Sequence, residues 1–320
     1  RRLVYVTGSN SRKLDTFVSS FQTGWYLWRH RRRYAFVFWF NNANFPGIVM
    51  TLLARIPMAV NTDGLEWLRA KWSWPFKLYY LITSFLICRL CRTLISDAVE
   101  IKRFYRKWFL KDTVFIPNGA RLAECSRTEP EETVLARYGL LPGRYFLQIT
   151  RFEPDNLPLE VAIAFRQSGL YREGFKLALV GYRGDTEYSR RIKACDGRDG
   201  VVVIDATYNQ GILTALRRNC FCYVHGNSVG GTNPALLEAM AVCPRIMAMD
   251  VPFSREVLGG RGLYFSKSDI ASAFRRALDL ADEGEVYRQR IDRYYRWENI
   301  AQAYLRVFEG QPMDCAYPVP

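Results

Sequence analysis

Residues 223–241 read YVHGNSVGGTNPALLEAMA, and the order of residue types leaves the backbone few options. Phe221, Cys222, Tyr223 and Val224 form a β-type run. Two adjacent glycines, Gly230 and Gly231, follow in a loop. Asn233 then stands where a helix N-cap belongs, and Pro234 takes the first helical position, where its missing N–H costs nothing. The ALLEAMA stretch behind it is strongly helix-forming. A strand that runs through glycines into a helix start makes an anion site: the backbone can come close, the amides point outward, and the helix dipole favours negative charge. Glu238 lies just over one turn into that helix, where a carboxylate can accept hydrogen bonds from sugar hydroxyls. The combination suits a diphosphate joined to a ribose or hexose. The same residues also suit a capped helix packed on a sheet, with Glu238 in solvent.

Strand-like and helix-like runs alternate along the whole chain, which predicts parallel α/β architecture. The expected strands are Leu3–Val6, Ala35–Phe40, Met58–Asn61, Thr93–Ile95 and Val114–Ile116 in the first half. Tyr145–Ile149, Lys176–Val180, Val201–Ile204, Cys220–Val224 and Arg245–Met249 follow in the second. Helices are expected over Phe45–Ala54, Pro75–Arg92, Ala98–Trp108, Pro158–Gln167, Gly211–Arg218 and Pro234–Ala241, with a final stretch over Glu285–Phe308. A length of 320 residues accommodates about two domains. The turn signal Asn118-Gly119 and the polar run Glu129–Glu132 put the boundary within Asn118–Gly143, giving domains of 1–125 and 126–320.

Charge separates the two halves. Residues 1–120 hold 19 Lys and Arg against 6 Asp and Glu, whereas the remainder is nearly neutral within a chain of net charge +14. The densest cluster is Arg29, His30, Arg31, Arg32 and Arg33, close to Trp25, Tyr26 and Trp28. Basic residues beside interfacial aromatics suit an anionic membrane surface, and equally a solvated helix end. A nucleic-acid partner is the weaker alternative, since no RNA-binding aromatic motif or zinc-finger spacing accompanies the charge. The apolar run Leu78–Cys88 is about half of a bilayer span and reads as a core or interfacial helix. A cytoplasmic protein, peripheral at the inner face of the cell membrane, is the expectation. Eight cysteines (Cys88, Cys91, Cys125, Cys195, Cys220, Cys222, Cys243 and Cys315) are scattered. The pair Cys88 and Cys91 has C-x-x-C spacing but lies in an apolar helical run, which favours buried thiols over zinc ligands. Without H-E-x-x-H or D-x-D segments, no metal and no other cofactor is expected.

Four segments carry a resemblance: NTDGLEWLRAKW at Asn61–Trp72, RFEPDN at Arg151–Asn156, YVHGNSVGGTNPALLEAM at Tyr223–Met240 and FSREVLG at Phe253–Gly259. In this order they resemble the retaining glycosyltransferases of the GT-B fold, family four, and within them the rhamnosyltransferase-like branch that builds bacterial surface polysaccharides. The resemblance implies two Rossmann-like domains with a cleft between them, an acceptor side in the first and a nucleotide-sugar site in the second. It also implies a C-terminal helix that returns to the first domain. A hexose, rhamnose by this branch, would pass from a nucleoside-diphosphate sugar to a glycan or lipid-linked saccharide. Two positions depart from the wider family and match the branch: Gly230 stands where a first glutamate is usual, and Asn156 where a lysine is usual. A strand and glycine-rich loop that open a complete member are not recognisable here, so an N-terminal segment of several dozen residues is expected to precede Arg1.

The site residues follow from position as well. Asp63 and Glu66 come after the strand Met58–Asn61, and ligands of α/β sheets gather at the carboxyl ends of strands. They are candidates for binding acceptor hydroxyls or stabilising a cationic transition state, or for an N-cap paired with Arg69 or Lys71. Arg151 follows Tyr145–Ile149 in the same way, placed to neutralise a leaving diphosphate or to pair with Glu153 or Asp155. Asn156 can contact a phosphate or cap the next helix; Arg255 and Glu256 can rim the donor pocket or fix their loop. By resemblance the catalytic set is Arg151, Glu238 and Asp63, and the donor set is Asn156, Gly230, Gly231, Thr232, Asn233 and Glu238. Binding of a sugar nucleotide or membrane without turnover is the alternative.

Overall fold

A computed structural model describes residues 3–9, 14–69, 72–120, 129–184 and 186–318. The chain divides into two compact units: Arg1–Pro117 with Ile300–Cys315, and Asn118–Asn299 with Ala316–Pro320. The division expected at 125/126 lies outside the described residues, as do Cys125 and Lys71.

Among the described residues ten strands form two sheets, all paired in parallel. The first unit holds β1 (Val37–Phe40), β2 (Met58–Asn61), β3 (Thr93–Ser96) and β4 (Val114–Phe115) in the order 1-2-3-4. The second holds β5 (Tyr145–Ile149), β6 (Lys176–Tyr182), β7 (Val201–Asp205), β8 (Cys222–His225), β9 (Ile246–Met249) and β10 (Leu263–Phe265), ordered 10-9-8-5-6-7. The second sheet is buried on both faces, as near-continuous apolar strands require. Along β5, Tyr145 and Leu147 enter one core cluster and Phe146 the other; along β8, Tyr223 faces the first, and Cys222 and Val224 the second. The period-two pleat thus serves two apolar layers.

Three expectations are corrected. Leu3–Val6 joins no strand among the described residues, and Leu3 and Tyr5 are 75% and 88% exposed. β-Branched and aromatic residues favour a strand only where a neighbour completes the ladder. The strand β10 was not expected, being three residues long without clear alternation. The stretch Glu285–Phe308 is two helices, Gly284–Tyr294 and Trp297–Phe308. Between them the Tyr295 carbonyl accepts the Ala120 N–H at 2.8 Å, so a passing chain segment takes an acceptor that a continuous helix would use itself. Beyond the break, Ile300, Ala303 and Val307 pack on Ala59 and Ile95 of the first unit's sheet. Asp314 ties that return in place, accepting from the Phe115 N–H at 2.7 Å and pairing with Lys102 at 3.0 Å.

Candidate functional site

In the second unit two loops leave adjacent strands at their carboxyl ends. One follows β5 and carries Arg151–Asn156; the other follows β8 and runs from Gly226 to Asn233. Backbone and side chain zip them together. The Ser228 N–H and hydroxyl both donate to the Asp155 carbonyl at 2.9 Å. Gln148 Nε2 donates to the Asn156 carbonyl at 2.8 Å, and Asn156 Nδ2 donates to the Arg151 carbonyl at 2.9 Å. Gly226 lies against this junction so closely that a Cβ there would sit 2.4 Å from the Asn156 carbonyl oxygen. Asn156 is therefore a buried brace of the Arg151 loop, and it makes no cap for the helix Pro158–Ser168. On the other side of Arg151, Gly181 (φ 142°) marks an irregularity in β6 where a Cβ would strike the Thr150 carbonyl at 1.9 Å.

Arg151 itself is 62% exposed and only loosely paired, Nη1 lying 3.7 Å from Glu153 Oε1. Its guanidinium is free to meet an anion. The helix Pro234–Val242 begins as the sequence indicates: Asn233 accepts the Ala235 N–H at 2.9 Å and Pro234 follows. Space is open where a Cβ would stand on Gly230. The loop is pinned from outside its own sequence, because Asn118 Nδ2 donates to the Thr232 carbonyl at 2.7 Å. A recess over it is lined by His225, Asn227, Gly230, Gly231, Phe253 and Ser254. Burial pushes the His225 imidazole down to about 4, so it is neutral at pH 7. Arg255 forks onto Asp250 at 2.6 and 2.9 Å and lies over the Tyr264 ring, which fixes its loop.

Glu238 is not a lone carboxylate. Its Oε2 accepts from Arg217 Nη2 at 2.5 Å. The Arg217 side chain is 3% exposed and that of Glu238 44%. A buried guanidinium thus aims a half-exposed carboxylate whose lone pairs outnumber this one contact. Sequence reasoning missed Arg217, which sits in the last turn of the helix Gln210–Asn219 and looks there like an ordinary solvated charge. Asn118 was read only as a turn residue.

In the first unit, Asp63 holds a positive φ (56°) just past β2, and so does Asn41 (φ 87°) just past β1. The two meet: Asn41 Nδ2 donates to Asp63 Oδ2 at 2.8 Å, and the Gly64 N–H donates to Asp63 Oδ1 at 2.8 Å. Burial raises the Asp63 carboxyl above its ordinary range, with the Gly64 hydrogen bond opposing and the Glu66 charge reinforcing the shift. Two adjacent non-glycine residues held at positive φ mark backbone that its surroundings over-determine, as occurs at functional sites. Glu66 turns inward instead. It is buried, with Oε1 on Arg69 at 2.9 Å and Oε2 on the Trp72 indole N–H at 2.5 Å, and it braces the segment that carries Asp63. Cys88 and Cys91 are buried thiols, which burial raises to about 12 and about 11. Among the described residues no group of three His, Cys, Asp or Glu side chains gathers as a metal site.

A family described as Domain of unknown function (DUF1972) matches residues 47–121. Solved structures similar over nearly the whole chain are glycosyltransferases of the GT-B fold. Sucrose-phosphate synthase from Thermosynechococcus elongatus is 17% identical with a TM-score of 0.75, over 96% of this chain and 83% of that one. HepE from Anabaena, solved in complex with UDP, is 13% identical with a TM-score of 0.71, over 95% and 85%. A glycosyltransferase from Rickettsia africae is 12% identical with a TM-score of 0.70, over 95% and 84%. At these identities the likeness establishes the fold, and the fold is GT-B.

Proposed function

We propose that the chain is a retaining glycosyltransferase that works without a metal. It moves a hexose, rhamnose first among the candidates, from a nucleoside-diphosphate sugar to a hydroxyl of a glycan or lipid-linked saccharide. The observation that carries this reading is the zipped pair of loops in the second unit. They hold an exposed, loosely paired Arg151 on the same frame as a glycine loop and a helix start. Support comes from the Anabaena structure, in which this fold is solved with UDP.

The chemistry requires a departing diphosphate to be stabilised as the bond to the anomeric carbon breaks. Arg151 supplies charge and the amides of Gly230–Asn233 supply oriented donors. Glu238, aimed by Arg217, holds a hydroxyl of the ribose or the donor sugar. The acceptor hydroxyl attacks from the face the diphosphate leaves, and its proton passes to a diphosphate oxygen. Asp63 is assigned to the acceptor hydroxyl. Asn156 and Glu66 act through the loops they brace. The acceptor is met at an anionic membrane surface, a reading supported by the exposed Arg29 and Arg31–Arg33 beside Trp25 and Trp28.

The test is transfer or hydrolysis across a panel of nucleoside-diphosphate sugars, with calorimetry in parallel. Product from at least one donor is expected. Donor binding with no product over long incubation would favour binding without turnover, and neither binding nor product would remove the enzyme reading.

A further inference from the structure

The helix Trp74–Leu90 carries apolar residues on both faces, with Tyr80, Ile87 and Cys88 buried. Its buried face includes Thr83 and Ser84, both satisfied within the fold: Thr83 donates to the Tyr80 carbonyl at 3.0 Å, and Ser84 donates to the same carbonyl at 2.8 Å while accepting from Asn42 Nδ2 at 2.5 Å. Its solvent face carries Trp74 (73% exposed), Leu78, Leu81, Ile82 and Phe85. The spacing 74, 78, 81, 82, 85 is one stripe of a helix, pointed away from the core that such a stripe ordinarily meets. The patch continues past this helix. Phe85 contacts Phe109, and Trp108 and Leu110 beside it are 63% and 80% exposed. On another flank Phe17 packs on Tyr79 at 4.8 Å, and the helix Asp15–Arg29 turns Phe21, Trp25 and Trp28 outward. Contiguous exposed apolar surface of this kind marks an interaction face.

We propose that this face of the first unit lies in the surface of an anionic lipid bilayer, with Leu78, Ile82 and Phe85 entering the acyl boundary. Charge decides for lipid. Between Trp74 and Lys111 the sequence holds eight Lys or Arg against two Asp or Glu. Arg89 Cζ lies over the Phe85 ring at 5.1 Å and Lys107 Nζ over the Trp108 ring at 5.2 Å, so cationic groups sit directly on aromatic rings of the patch, within reach of anionic headgroups. A second copy of the chain would oppose like charges across such a face; an anionic headgroup layer neutralises them. The exposed Trp25, Trp28, Trp74 and Trp108 suit the water–lipid boundary. No helix of the described residues is long and apolar enough to cross a membrane, so the contact is in the plane of the surface. The inference deepens the membrane reading above and rests on it; the sugar-transfer reading stands or falls separately.

Co-sedimentation of the full chain with phosphatidylglycerol–phosphatidylcholine vesicles tests it, with phosphatidylcholine alone as the control. The parent should bind the anionic vesicles. Leu78→Gln/Ile82→Gln/Phe85→Gln should bind at least about tenfold more weakly, since each side chain loses its apolar transfer. These positions are exposed, so its melting temperature and UDP affinity should match the parent's. Hydrogen exchange of the parent should slow over residues 74–90 when vesicles are added. If the parent ignores anionic vesicles, both membrane readings fall. If Arg29→Gln/Arg31→Gln/Arg32→Gln/Arg33→Gln loses binding and the apolar triple variant keeps it, only this inference falls. It also falls if vesicles leave exchange over 74–90 unchanged, or if the triple variant turns a dimer into a monomer in sedimentation velocity.

Discussion

Glu238 should be separable into a structural and a ligand-binding contribution. Its carboxylate pairs at 2.5 Å with Arg217, whose side chain is 3% exposed. Removing one member of a fully buried pair costs about 3–5 kcal/mol, because the other charge is left without compensation. Glu238 is 44% exposed, so water can enter when it is cut back, and the cost moves toward the roughly 1.5–3 kcal/mol of a charged hydrogen bond. Glu238→Ala should therefore lose about 2–3 kcal/mol. Glu238→Gln keeps a neutral acceptor for the guanidinium and should lose about 1 kcal/mol. Arg217→Met removes the buried charge itself, and in that background Glu238→Ala should lose much less stability, the difference being the coupling energy of the pair. Urea unfolding followed by circular dichroism measures the stabilities. Calorimetry with a nucleotide sugar measures the second contribution: Glu238→Gln should weaken donor affinity or turnover by roughly ten- to a hundredfold. Arg217→Met, with Glu238 intact but no longer aimed, should weaken it less. A Glu238→Ala variant within half a kcal/mol of the parent, about the scale of a surface change, would refute the pairing argument. Unchanged donor affinity and kinetics in Glu238→Gln would remove the residue from the site.

Three further outcomes are expected. Gly226→Ala puts a Cβ 2.4 Å from the Asn156 carbonyl and should lower stability by about 1–3 kcal/mol and donor affinity with it; a stable variant with parental affinity would show that the loops are not interlocked. Arg151→Lys keeps the charge but loses the planar fork, so turnover should fall with little change in melting temperature; full activity would mean that a point charge suffices. Burial holds His225 at about 4 against an ordinary 6.5, so the unfolded chain takes up the proton first as pH falls. Its stabilising contribution is complete above pH 6.5 and is lost progressively toward pH 4, about 3 kcal/mol in all. Subtracting the pH profile of His225→Gln from that of the parent should isolate this fall, and coincident profiles would contradict it.

Local order in the sequence determined the parallel α/β class, most strand positions in both sheets, and the strand–glycine–Asn233–Pro234–helix junction. These are short-range properties: propensity, pleat and capping are set by neighbours along the chain. It also located Arg151 and Asp63 at strand ends, because parallel topology brings those ends to one edge. What each side chain then does depended on partners far away in sequence. Asn156 and Arg151 have similar local credentials, yet one is buried under Gln148 and Ser228's loop and the other faces solvent. Glu66 and Glu238 are both acidic residues in motifs, yet Arg69 and Trp72 enclose the first while Arg217 aims the second. Only tertiary structure placed Arg217, Asn118 and Asn41, and only it could turn the helix Trp74–Leu90. Its apolar residues outnumber what one face needs, so its sequence is compatible with a core helix or an interfacial one. The choice was made by Asn42, whose Nδ2 donates to Ser84, together with the burial of Tyr80 and Ile87 on the same face, which leaves Leu78, Ile82 and Phe85 outside. A buried polar group must find its partner, whereas an apolar one loses less by staying exposed, and that asymmetry is resolved only when the rest of the chain is in place.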